Sequence, residues 1–95
     1  MRDLIRKHLI FTGTVQGVGF RWRARHAAEA CGATGWVRNG RDGSVCLELQ
    51  GSEAQIEAVL AAIERGLYIR IEHAESRTIP VVPGERGFYT LDDEW

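Results

Sequence analysis

Between Thr12 and Arg21 the chain reads TGTVQGVGFR, with three glycines inside seven residues, an apolar run before them and an arginine after them. Where a strand turns into a helix, backbone N–H groups of the turn and of the first helical residues converge on one spot. The helix dipole adds positive potential there. Gly17 and Gly19 permit backbone conformations closed to residues with a Cβ, and they let a ligand approach the main chain closely. Arg21 falls in the first helical turn, where a lone cation opposes the dipole; an anion held between loop and guanidinium removes that conflict. The planar fork of arginine matches a phosphate or a carboxylate at two points. The chemistry on offer is a cradle for a small anion, most simply a phosphoryl group. A tight strand-to-helix turn with no ligand uses the same residues, and spacing alone leaves both readings open.

Asn39, just before the stretch GRDG, is the second candidate. Asparagine beside glycine is ordinary turn chemistry. Its functional reading is a carboxamide that holds a water at the edge of the cradle. An amide orients a water but cannot act as its base. Other glycine-loop chemistries fail on residues: no Lys-Ser/Thr pair completes a P-loop, and Trp22 stands where a dinucleotide loop has its third glycine. His8, His26 and His73 are scattered and no Cys/His spacing matches a metal site, so no metal is expected.

The elements that must position these residues follow from periodicity. His8–Val15 is β-rich and apolar and reads as a strand. Phe20, Ala24, Ala27 and Cys31 recur at helical spacing with arginines opposite, and Gly32 stops that helix. Thr34–Asn39 and Ser44–Gln50 read as strands joined by the GRDG hairpin turn. Ser52–Gly66 is a helix with Ser52 and Gln55 as a capping box and a stripe of Ile56, Val59, Leu60 and Ile63. Ile69–Ser76 alternates as a strand, and Gly87–Leu91 is a last short one. A loop with both prolines lies between them, and the tail DDEW is expected to fray. The order β-α-β-β-α-β predicts an α+β, ferredoxin-like two-layer sandwich. Its sheet is expected to be antiparallel, with both helices on one face and a possible fifth edge strand. Such a fold hosts many activities and does not give function by itself.

The 95 residues fit a single domain. The charged N-terminus leaves no apolar core for a signal peptide, so a cytoplasmic location without membrane attachment is the expectation. Cys31 and Cys46 then read as reduced, small apolar filler. Net charge is −1, but residues 1–41 hold eight Lys/Arg against two Asp/Glu, and residues 42–95 hold four against eleven. The cradle lies in the basic half, which suits an anionic ligand. Two solvated faces would give the same count.

GTVQGVGFR (Gly13–Arg21) resembles the phosphate-binding loop of the acylphosphatase family, and GWVRNGRDGSV (Gly35–Val45) resembles its second signature. The resemblance covers nearly the whole chain and implies the same sandwich fold. It implies a hydrolase that splits carboxyl–phosphate mixed anhydrides without metal or cofactor; the family's domain also opens a larger protein, and the free-standing form is the expectation here. On that resemblance Arg21 binds the phosphate, the loop Gln16, Gly17, Val18, Gly19 and Phe20 surrounds it with amides, and Asn39 orients the attacking water. No His, Asp or Glu lies in GTVQGVGFR or in GWVRNG around Asn39, so the substrate's own phosphate is expected to take the proton. Three positions depart from the family pattern. Cys31-Gly32-Ala33 replaces Leu-Gly-Leu after the first helix. GLYIR (Gly66–Arg70) replaces a Gly-Pro turn after the second. Arg23 and Ala24 stand where a hydrogen-bonding residue such as Thr is common.

The competing class is a non-catalytic module that binds an anion, a metabolite or RNA. QGVGFRWR has a superficial likeness to the glycine-aromatic string of RNA-recognition domains, but that string belongs on the third strand. The third strand here, SVCLELQ, carries no aromatic on which a base could stack. No nucleic-acid partner is therefore expected; the resemblance implies a small acyl phosphate as the partner, and a monomer is the expected assembly.

Overall fold

A computed structural model describes residues 3–93, so Glu94 and Trp95 of the DDEW tail lie outside the described residues. The first strand, β1 (Ile5–Thr14), leads into the first helix, α1 (Phe20–Cys31). The hairpin strands β2 (Thr34–Asn39) and β3 (Val45–Gly51), the helix α2 (Glu53–Glu64), and β4 (Arg70–Ile79) and β5 (Phe88–Thr90) follow. β1 begins three residues before its expected start, because Ile5, Arg6 and Lys7 still pair with Gly51, Gln50 and Leu49 of β3. The charges in that segment hide a strand that the sheet itself completes.

The strands lie in the order β4-β1-β3-β2-β5. The four long strands are antiparallel, as expected. The fifth strand is real but runs parallel to β2, with Gly35, Trp36 and Val37 opposite Phe88, Tyr89 and Thr90, so the sheet is mixed rather than purely antiparallel. The residues from Pro80 to Gly87 form a connection long enough to cross the sheet and return in the same sense as β2.

Leu9 and Phe11 of β1, Val37 of β2, and Val45, Leu47 and Leu49 of β3 turn one face inward. Against them pack Phe20, Ala24, Ala27 and Ala28 of α1 and Ile56, Val59 and Ile63 of α2. Alanines on α1 let it lie close to its neighbours, and larger aliphatics on α2 fill the remaining depth. Ser52 Oγ accepts from the Gln55 amide at 3.1 Å, and Gln55 Oε1 accepts from the Ser52 amide at 2.8 Å, so the capping box is complete. Gln55 Nε2 also donates to the carbonyl of Cys31 at 3.0 Å, tying the small Cys31-Gly32-Ala33 junction to α2. Arg23 reaches the other end of α2, donating to the Ala62 carbonyl at 3.1 Å.

The opposite face of the sheet is only partly open. Gln50 grips Val82 through both of its polar groups, accepting from the amide at 2.8 Å and donating to the carbonyl at 2.9 Å. Arg6, 2% exposed, donates to Glu48, Gln50 and Glu85. Thr34 also donates to Glu85, at 2.7 Å. The proline segment is thereby clamped over one end of this face, which is why a charged guanidinium can be buried there.

Candidate active site

The junction of β1 and α1 folds as the glycines require. Gly17 and Gly19 take φ of +74° and +82°, in the left-handed region, and Gly19 caps α1 with no side-chain hydrogen bond. Space around both is open, so the dihedral angle alone selects glycine. The first turn of α1 carries no acidic residue. Its N-terminal amides thus meet no carboxylate from their own helix, and the dipole there is available to an anion.

A cavity of about 400 Å³ opens at this point. Gly17, Gly19, Phe20, Arg21 and Asn39 all line it. Arg21 comes from the first turn of α1 and Asn39 from the last residue of β2, two elements brought side by side by the sandwich. Asn39 is 7% exposed, so it lies in a nearly dry setting. Phe20 is buried and tilts against Phe11 at 5.4 Å between ring centres, which fixes the helix start to the core.

Gln16 and Val18 do not line this cavity. Gln16 Nε2 donates to the carbonyls of Gly40 and Ser44, at 2.8 Å each, and so fastens the glycine loop to the β2–β3 turn that immediately follows Asn39. That bond sets the spacing between loop and asparagine. Val18 faces a separate depression beside Arg23 and Tyr68. Within the turn, the Asp42 carboxylate accepts from Ser44, which holds it below the usual carboxylate range.

Other residues join the site that the motifs do not mark. Trp22, Arg25, His26 and Thr90 line the same cavity. Trp22 and His26 stack with ring centres 3.9 Å apart, and His26 Nδ1 lies 2.9 Å from the Trp22 carbonyl. The spacing 21/25 and 22/26 is the i, i+4 pattern that puts residues on one helix face, and this signal is present in the sequence. Asp93 is different. Its carboxylate pairs with Arg21 Nη1 at 2.9 Å, so this part of the tail is placed rather than frayed. No local pattern announces it. Leu91 donates to the Val37 carbonyl at 2.9 Å, continuing the parallel pairing of β5 with β2 and carrying the chain toward Arg21.

A two-layer α+β sandwich with a cationic, glycine-turned cavity at the head of its first helix defines the class, and the comparisons narrow it. A family model described as Acylphosphatase matches residues 7–90. The chain belongs to the acylphosphatase family. It is 42% identical over 81 residues to an acylphosphatase of Bifidobacterium longum, covering 84% of each chain. It is 39% identical to one from Geobacillus thermodenitrificans, covering 87% of this chain and 89% of that one. Among solved structures, an acylphosphatase from Bacillus subtilis superposes with a TM-score of 0.84 at 26% identity, covering 92% of this chain and 98% of the other. No described helix is long and apolar enough to cross a membrane.

Proposed function

We propose that this chain hydrolyses small acyl phosphates to a carboxylate and inorganic phosphate. The observation that carries the proposal is that Arg21 and Asn39, from different elements, open on one cavity with Gly17 and Gly19. The main chain of Gly17, Gly19 and Phe20, which line the cavity, and the Arg21 guanidinium receive the phosphoryl oxygens. The loop meets charge as it spreads over those oxygens, which is the main catalytic resource in phosphoryl transfer. Asn39 holds a water in line with the bond to the acyl oxygen. The water oxygen bonds to phosphorus as the phosphorus–oxygen bond to the acyl group breaks, and the electron pair departs with the carboxylate. The water's proton passes to a phosphoryl oxygen, so no protein base is required. Because Arg21 presents five N–H donors, a phosphoryl group can replace or share the place of the Asp93 carboxylate. Trp22 and His26 form the wall beside the acyl group.

The test is hydrolysis of benzoyl phosphate in EDTA by the wild type, Arg21→Ala and Asn39→Ala. Turnover in the chelator that both substitutions depress supports the reading. A folded wild type that binds phosphate without turning over benzoyl phosphate would leave a non-catalytic anion-binding module instead. The reading takes the protein as a cytoplasmic monomer without a nucleic-acid partner, and its sedimentation with and without added RNA checks the assembly.

A further inference from the structure

On the face of the sheet away from the helices, β1 and β3 place three chemically complementary side chains together. His8 sits directly opposite Glu48, and Cys46 lies one register step along, opposite Ile10. Glu48 Oε2 is 2.7 Å from His8 Nδ1, and His8 Nε2 is 3.4 Å from Cys46 Sγ. An ionised carboxylate only accepts, so Nδ1 donates to it, and in the neutral imidazole that leaves the Nε2 lone pair facing the thiol. A nucleophile, a base in reach of it and a third group that orients the base is the arrangement that activates a cysteine. Arg6 donates to the other oxygen of Glu48 at 2.9 Å, which fixes the carboxylate in turn.

The thiol opens on a depression of about 530 Å³ that Trp36, Arg38 and Arg41 also line. Arg38 lies over the Trp36 ring at 5.8 Å, and its Nε is buried with no hydrogen-bond partner among the described residues. Arg38 and Arg41 against the single carboxylate of Asp42 give the lining a net positive charge, which suits an anionic group. Cys46 lies in β3, paired on one side to β1 and on the other to β2. The ladders engage the surrounding main chain, so it offers no pair of amides for the oxyanion of an acyl transfer. Exchange at sulfur needs none.

We propose that Cys46 is a reactive thiol whose partner is a small anionic disulfide bound in this depression. The Cys46 sulfur attacks one sulfur of the disulfide, and its proton moves to His8 Nε2. A new sulfur–sulfur bond forms as the old one breaks, and the departing thiolate takes the electron pair. The Cys46 sulfur is oxidised and the leaving sulfur reduced.

The probe is dithiobis-nitrobenzoate, a disulfide with a carboxylate on each ring, applied to Cys31→Ser protein so that Cys46 alone reports. The native thiol is expected to react at least about tenfold faster than the same protein denatured at the same pH. His8→Gln should remove that advantage while keeping a cooperative melt. Arg38→Ala should slow dithiobis-nitrobenzoate and leave the neutral dithiodipyridine unchanged; it keeps the test decisive if His8→Gln does not fold. Cys46→Ser should take up no label that a reductant removes. A native rate at or below the denatured one, or full reactivity in folded His8→Gln, overturns the reactive thiol. Equal responses of the anionic and neutral reagents to Arg38→Ala overturn the anionic partner.

Discussion

Arg21 is paired with a carboxylate before any substrate arrives, and the strength of that pair decides how much it matters. With side-chain exposures of 39% for Arg21 and 27% for Asp93, the contact is screened by solvent and contributes about 1 kcal/mol or less. Asp93→Asn is therefore expected to tighten inhibition by inorganic phosphate about two- to fivefold, an effect that shrinks with added salt. Unchanged inhibition would show that the phosphate does not compete for this guanidinium. Removing Arg21 itself is a larger loss: Arg21→Ala should lower kcat/KM about a hundredfold or more, weakening phosphate binding as well, because a pre-aimed donor is typically worth about 3–4 kcal/mol in the transition state. Asn39→Ala should reduce kcat by about a hundredfold with KM nearly kept, since placing the water bears on the chemical step. Steady-state kinetics on benzoyl phosphate separate the two patterns.

At the scale of elements, Ser52 and Arg6 show what could and could not be read from the chain. Ser52→Ala breaks a capping box that the sequence already displays and should cost about 1 kcal/mol with turnover unchanged, measured by urea unfolding. Arg6→Met leaves Glu48 and Glu85 without their shared cation and should cost about 3 kcal/mol, nearly as much as breaking a buried pair. Both helices, the hairpin and the glycine turn were legible because caps, stripes and turn residues are local signals. The parallel pairing of β5 was not, because three residues, Phe88–Thr90, carry no period that distinguishes one direction from the other. Arg6 is only one of several charges in the N-terminal segment, and nothing local foretells that the proline segment folds over it. His8, Cys46 and Glu48 each look unremarkable alone, and only the register of β1 against β3 brings them into contact. Asp93 was hidden for the same reason, being 72 residues away from Arg21 in sequence.

For the molecule as a whole, Glu48 makes stability depend on acidity. Burial works to raise its carboxyl, but hydrogen bonds from His8 and Arg6 outweigh that and hold it below the ordinary carboxylate range. The unfolded chain therefore takes up this proton first as pH falls. The stabilisation is present above the ordinary carboxylate pKa and is lost as pH drops through the folded value. Tm should decline on acidification through this window, and Glu48→Gln should flatten the decline. The strand order has a further consequence. The three central strands β1, β3 and β2 and both helices come from residues 5–64, while the two outer strands, β4 and β5, come from the last third of the chain. A polypeptide emerging in sequence can build its interior long before it can cover either margin of its sheet. Until then both margins present unpaired backbone to any neighbour doing the same, which is the situation that promotes clumping of nascent chains.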